Sequence, residues 1–581
     1  MKLTKVNTLP TTRDMLSAFG GYNHNLKINE GEFYDMQNLS SADYPVLSPR
    51  PKRGNYNKIA DAWYATKISA IASKDGLYKV TEGGAILKDG TQIGSINNAE
   101  NLESRTIVSM GAYLIVFPEK YYVNTVSGDA DFLEKTYVFE GTTSNSAILS
   151  LSPCKIDGSE ITEGMDASYV KIRFYQKTGI TTSGFEVGDG VTISGINADS
   201  LEITDAEKSN IHDLNTTTVI QAIGIDYKDN TGGNGYIVVK GNIEKEYSIK
   251  DAKVTVERKL PEMDFVVEAN NRLWGCKYGK LENGETVNEI YASKLGDPKN
   301  WYCFDGISTD SYTASVGSDG EFTGAITYMG HPIFFKENCM HKVYGNFPSN
   351  FQIQTTACRG VQKGCSKSLA ILNETLLYKS RSAVCAYDGS LPVEVSQALG
   401  DVSYSDAAAG VLGNKYYISM KDSKDYSLFV YDTAKGMWHR EDDIHASSFC
   451  TVGNNLYFVD ADAQINPIKM VRPDTNADEE ADPVKWSAVT GIIGTDSPDK
   501  KYISNISVRM LIDVGATVRF SAEYDSSGEY EHLYTKTGDK LCSFSIPLKT
   551  RRCDHLRLKI EGKGAAKIFS ICKTIVQGSS V

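Results

Sequence analysis

Seven short segments of this chain read as copies of one another: Ile68 to Val80, Gly111 to Phe117, Asn270 to Cys276, Gly330 to Lys336, Asn373 to Ser380, Gly413 to Met420 and Gly453 to Asp460. Each sets Gly, Asn or another turn former before a run of four or five apolar and aromatic residues, as in Gly413-Asn414-Lys415-Tyr416-Tyr417-Ile418. That is the pattern of a strand entered through a tight turn. The last four segments begin about 40 residues apart, as do the first two, and a period of that length belongs to four-stranded propeller blades. The expected fold is therefore all-β, a β-propeller of about seven blades, with six to eight compatible with the spacing.

The rhythm is interrupted, and the interruptions mark domains. Residues 1–60 show neither helical periodicity nor long alternation and are rich in Asn, Gly, Pro and Ser, so they read as an extended N-terminal arm. Phe19, Tyr22, Phe33, Tyr34, Met36, Leu39 and Tyr44 make that arm too apolar for plain disorder. They are expected to bury against the propeller or a neighbouring subunit. The first blades occupy 61–133. From Tyr137 to Val256 the beat is replaced by alternating segments such as Tyr169 to Phe174 and Tyr236 to Val239, with turns at Gly188-Asp189-Gly190 and Gly232 to Gly235. We read 134–259 as an inserted β-domain, which a repeat array tolerates because each blade contacts mainly its neighbours. Remaining blades fill 260–472. An acidic, proline-bearing linker follows at 473–484, and 485–581 alternates with period two as a C-terminal β-sandwich. Ser209 to Ile223 is the one helix candidate.

Composition narrows the function. A formal charge of −12 argues against a dedicated nucleic-acid binder. Basic character is nonetheless local: Lys2, Lys5, Arg13, Lys27, Arg50, Lys52, Arg53 and Lys58 lie in the arm, and 540–573 is also basic. Either patch would suit a partner with an acidic surface. No segment approaches the roughly 18 uncharged apolar residues of a membrane span, and the start, Met1 to Lys5, has no apolar stretch after its lysines that would mark secretion. Eleven scattered cysteines without a CxxC suggest buried thiols in a reducing compartment, for which the bacterial cytosol is suitable; Cys358 and Cys365 alone lie close together.

Motifs for chemistry are missing. Gly562 to Gly564 lacks the spacing of a phosphate-binding loop, and His439 and His445 do not form a metal-ligand pair. Lys74-Asp75-Gly76, Lys88-Asp89-Gly90 and Ser318-Asp319-Gly320 are hairpin turns rather than calcium loops, since no alternating acidic ligands follow. No Asp-box recurs. No catalytic residue, metal site or cofactor is assigned. The thirty-three tyrosines could stack on sugars, but most fit half-buried strands, and Trp274, Trp301, Trp438 and Trp486 are placed for core or inter-blade packing.

Three stretches carry a resemblance. They are Phe19-Gly20-Gly21-Tyr22-Asn23 with Asp35 to Leu39, Tyr44 to Leu47 and Arg50 to Gly54; Asn271 to Gly275 with Ile290 to Ser293, Gly296-Asp297-Pro298 and Asn300-Trp301; and Leu376 to Ser380 with Val384 to Gly389. Together with Arg551 to Leu556, they resemble a family of tailed-bacteriophage virion propellers that includes packaged-DNA stabilisation and tail-hub proteins. The resemblance implies a non-enzymatic structural protein of the neck, tail hub or distal tail, assembled in the bacterial host cytoplasm and present as a ring of copies. Its partners would be portal, adaptor or other tail proteins. Contact with neighbours is expected through the sandwich and through Phe19, Tyr22, Phe33, Tyr34, Met36, Leu39, Tyr44, Arg50 and Arg53. Two alternatives are a receptor-binding tail protein that uses the insertion or the sandwich on a host-surface glycan, and a propeller glycosidase or lyase with carboxylates at the channel mouth.

Overall fold

A computed structural model describes residues 11–56, 67–97, 99–141, 147–161, 168–227, 233–464, 467–474, 477–494, 500–538, 540–548 and 552–576. Lys2, Lys5, Lys58, Gly232 and Arg551, named above, lie outside the described residues. The fold is all-β: a β-propeller with an inserted β-domain and a C-terminal β-sandwich. The chain divides into two compact units. Unit 1 holds Met1–Ser95, Glu100–Ser104 and Cys358–Val581, and unit 2 holds Ile96–Ala99 and Arg105–Ala357.

Seven sheets among the described residues are blade-like up-and-down meanders, lying at 68–95, 106–132, 265–315, 324–357, 370–394, 405–440 and 446–470. We number them one to seven. Six of the seven look-alike segments form the second strand of a sheet, and Ile68 to Val80 spans the first hairpin. The entering turns explain the likeness. Positive φ is found at Gly111, at Asn270 and Asn271, at Met329 and Gly330, at Asn373 and Glu374, at Gly413 and at Gly453. Tight hairpins demand that backbone region, because its twist matches that of the flanking strands. In unit 1 the first strands of sheets five, six, seven and one pack in that order; in unit 2 those of sheets two, three and four do so.

The insertion belongs to unit 2 and is itself two sheets. One joins Lys135–Phe139, Val254–Arg258, Gly190–Ser194 and Thr217–Val219; the other joins Ala222–Asp226, Asn234–Lys240, Tyr169–Phe174, Leu149–Cys154 and Tyr247–Ile249. Their shared core includes Phe174, Ile172, Val191, Ile237 and Val256. Gly188-Asp189-Gly190 is more than a turn. Asp189 is buried, binds the Arg258 guanidinium and accepts from Asn300 Nδ2 at 2.9 Å, while Arg258 Nε donates to the Leu133 carbonyl at 3.1 Å. This buried pair ties the insertion to sheets two and three.

The helix lies elsewhere than expected. It runs over Asp205–His212, starts at a Thr204/Glu207 capping box, and gives way to strands at Thr217–Val219 and Ala222–Asp226. The Thr-x-x-Glu signature was present, and β-branched Thr216 to Ile220 favour extended backbone.

The leading residues are not a separate extended arm. Thr11–Leu16 pairs with Ala566–Val576 at the edge of one sandwich sheet, and Phe33–Gln37 pairs with Lys485–Thr490 at the edge of the other. Gly54–Tyr56 supplies a strand to sheet seven, beside Ile468–Met470. Three larger sheets of unit 1 thus contain a strand from the arm, and Leu39–Ser40 pairs with Ser48–Pro49 in a two-stranded sheet of its own.

Candidate functional site

Of the nine arm residues named for contact with neighbouring proteins, seven are buried in this chain, the first of the two destinations expected for the arm. Phe19, Tyr22, Phe33, Met36, Leu39, Arg50 and Arg53 are all buried. Phe19 stacks on Phe33, with centroids 6.1 Å apart, and Tyr22 meets Phe429 edge-on at 5.6 Å. Tyr34 is half-buried between His24, at 4.4 Å, and the Arg557 guanidinium, at 4.2 Å. Tyr44 alone of the nine is exposed, at 44%. The physical reason is length: an apolar arm long enough to reach its own sandwich and blades buries there without a second molecule.

The paired glycines of the arm explain how closely it lies. The Tyr22 amide donates to the Trp438 carbonyl at 2.6 Å, and a Cβ on Gly21 would sit 2.0 Å from that oxygen. Only glycine permits the approach.

A charged clasp closes the arm. Arg53 NH2 lies 2.5 Å from Glu441 Oε2 and 2.9 Å from Asp442 Oδ2, while Arg50 NH1 lies 3.1 Å from Glu480 Oε2. Burial acts to lower the Arg53 guanidinium, but Asp442 and Glu441 together hold it above its ordinary value. The expected linker takes part: strand Ala477–Glu479 pairs with Gly54–Tyr56, and the Arg53 amide donates to Glu480 Oε2 at 3.3 Å. Part of the basic patch expected to meet an acidic partner therefore meets the chain's own acidic linker.

Unit 1 also holds a polar cavity of about 500 Å³ where the first strands of sheets six, seven and one begin. Asp406, His445, Asp460, Asp462, Glu82 and Lys367 contribute to its wall. Asp406 has left-handed backbone, φ 46°, beside a break in strand register, and Tyr426 Oη donates to its carboxylate. The Tyr426 ring stacks on His445 at 3.7 Å, and His445 Nδ1 lies 3.5 Å from Asp462 Oδ1. Burial raises the half-buried Asp460 carboxyl above its ordinary value, against the Asp462 amide, which donates to it at 3.3 Å. A carboxyl raised by burial and another held by a phenol are the ingredients of acid and base chemistry. No motif announced them, because they come from two different sheets; the register break at Asp406 was the one structural signal and is invisible in sequence.

Elsewhere the site search is spare. Among the described residues no group of three or more His, Cys, Asp or Glu is placed to hold a metal ion. His439 is buried beside Lys415; burial, then that charge, pushes it down to about 3. All eleven cysteines are free, including Cys358 and Cys365. Trp274, Trp301, Trp438 and Trp486 are buried. No helix among the described residues is long and apolar enough to cross a membrane.

No family model matches the chain, and no curated protein does. Among solved structures, the chain is similar to an exo-β-1,3-galactanase from Phanerochaete chrysosporium, at 8% identity and TM-score 0.22 over 53% of this chain and 94% of that one. It is likewise similar to a glycoside hydrolase, at 12% identity and TM-score 0.19 over 53% and 96%. A third is a glycoside hydrolase family 43 arabinoxylan arabinofuranohydrolase from Bacillus subtilis, at 7% identity and TM-score 0.18 over 54% and 95%. These neighbours are enzymes, so the expectation that this chain is not one does not stand. Likeness of that degree transfers no catalytic residue.

Proposed function

We propose that the chain is a structural component of a tailed-phage virion, at the neck, tail hub or another tail station, where it joins neighbouring virion proteins. One observation carries the reading beyond the motif resemblance. The arm that bears the Phe19-Gly20-Gly21-Tyr22 phrase gives a strand to both sandwich sheets and one to sheet seven, so unit 1 is stitched into a single stiff block. Stiffness suits a part that transmits load between neighbours, and the arm is then an internal tie rather than a hook. Sedimentation of purified particles tests the proposal: the chain is expected to travel with capsid or tail proteins at a fixed copy ratio. Recovery only in the soluble fraction would overturn it.

A second reading is favoured by the cavity at Asp406 and Asp460: binding of a host-surface glycan there, with hydrolysis as its extension. Water would add across the glycosidic bond, the acid protonating the leaving oxygen and the base taking a proton from water. Turnover of wall polysaccharide that disappears in both Asp406→Asn and Asp460→Asn would support it, and turnover unchanged in either variant would end it.

A further inference from the structure

Unit 2 carries a recess of different character. In sheet three, residues 293–311 connect Thr286–Ala292 to Tyr312–Ser315; in sheet four, residues 345–351 connect Cys339–Tyr344 to Gln352–Ala357. A groove of about 510 Å³ is lined by Phe304, Ile307, Asp310, Tyr312, Phe347 and Pro348 from these two regions. Phe304, Ile307 and Phe347 are 57%, 54% and 39% exposed. Single exposed apolar residues are ordinary, but three lining one recess mark a surface that something covers.

The walls are firmly held. Buried Arg272 donates to the carbonyls of Ser293 at 2.8 Å, Ser308 at 2.9 Å and Asp310 at 2.5 Å, fixing the longer loop. Asn350 Oδ1 accepts from the amides of Asn346 at 3.0 Å and Phe347 at 3.1 Å, fixing the shorter one. Phe351 meets Tyr312 edge-on at 5.1 Å. A recess built this way exists before its ligand arrives.

Asp310 gives the recess its polarity. The residue is 4% exposed, and Oδ2 accepts from the Gly306 and Ile307 amides at 2.6 and 3.0 Å. Oδ1 is buried with no hydrogen-bond partner. The buried Arg272 guanidinium acts on Asp310 electrostatically but leaves Oδ1 without a hydrogen bond; a buried acceptor left unpaired is costly, and a cationic donor supplies the missing bond. Beside it, Tyr312–Ser315 is the last strand of its sheet, with an outer edge that no strand of that sheet covers. Such edges accept an added strand.

We propose that this groove receives an extended segment of a partner protein in which a lysine or arginine is flanked by apolar side chains. The segment adds along Tyr312–Ser315, its apolar side chains cover Phe304, Ile307 and Phe347, and its cation reaches the Asp310 carboxylate between aromatic rims that also favour positive charge. The inference rests on the reading of this chain as a component joined to neighbouring proteins, and it moves the contact from the arm to unit 2.

Fluorescence anisotropy with the full chain tests it. The probe is a labelled peptide Val-Thr-Val-Lys-Val-Thr-Val, with a second peptide carrying Glu in place of Lys. Saturable binding of the lysine peptide is expected, weakened by about tenfold or more in Asp310→Asn, as loss of a charge-assisted hydrogen bond implies. Phe347→Ala, on an exposed side chain, is expected to weaken binding without lowering the melting temperature, so the test survives if Asp310→Asn fails to fold. Equal binding of the two peptides, no saturable binding, or full affinity in Phe347→Ala would overturn the proposal. So would tetramethylammonium displacing the peptide completely at comparable concentration, which would make the recess a small-cation pocket. A chain that travels with particles yet ignores the peptide loses the groove and keeps the virion reading; one that binds the peptide but stays out of particles does the reverse.

Discussion

Arg53 and Lys79 both carry positive charge into the interior of unit 1, with 4% and 1% of their surface exposed, and they fare in opposite ways. Arg53 meets Glu441 and Asp442, brought to it from the far end of sheet six. Lys79 lies on the second strand of sheet one, opposite Ile71 and Leu87, and its Nζ has no hydrogen-bond partner. Burial pushes the Lys79 amine down to about 8. A buried cation fastens segments together where anions converge on it; where none do, it becomes a weak acid that strains the fold.

The largest effect that would break this contrast is expected at the clasp. Arg53→Ala leaves buried Glu441 without its cation and Asp442 with Arg50 alone, at 3.4 Å, and is expected to cost about 3–5 kcal/mol in urea unfolding; a loss under about 1 kcal/mol would mean that the clasp is not formed. Gly21→Ala comes next. Its Cβ would press on the Trp438 carbonyl, so the arm must shift, at a cost of about 1–3 kcal/mol by the same measurement.

Lys79→Met should act in the other direction. Removing the unpaired amine while keeping most of its volume is expected to raise stability at pH 7 by about 1–3 kcal/mol. The pH dependence has a definite sign. Because the folded amine titrates near 8 and an unfolded lysine near about 10.4, the unfolded chain holds more protons between those values. Lys79 should therefore contribute stability that rises with pH across that window, and the slope of stability against pH there should be smaller in Lys79→Met than in the parent chain. An identical slope in the parent chain and in Lys79→Met would contradict the burial argument. The smallest effect is expected at the rim: Lys52 lies 3.8 Å from Glu479 with both side chains substantially exposed, and Lys52→Ala should change stability by less than about 0.5 kcal/mol.

Much of the fold was legible because its signals are local. Turn formers before short aromatic runs mark strands such as Lys415–Lys421 and Asn455–Asp460, and a two-residue period marks the sandwich strand Leu556–Lys563. The loss of rhythm after Phe132 located the insertion, whose strands span Lys135 to Arg258. What could not be read was where the arm goes. Its apolar residues announced burial, but the choice between self and neighbour depends on partners such as Trp438, Glu441 and Ile568, which lie hundreds of positions away. The Asp406 and Asp460 cavity was hidden for the same reason, and the Asp310 groove because exposure is a property of packing. The helix was a different kind of miss: the Thr204 and Glu207 signature was there, just ahead of the stretch Ser209 to Ile223 read as helical.

Hydrogen exchange across the arm tests the central claim most directly. If the arm is an internal tie, the amides of Phe33–Gln37 and Gly54–Tyr56 should exchange about as slowly as those of Lys415–Lys421 in sheet six, and Arg53→Ala should release the arm first. Exchange of the arm at the rate of an unstructured peptide, with the blade strands still protected, would contradict the account.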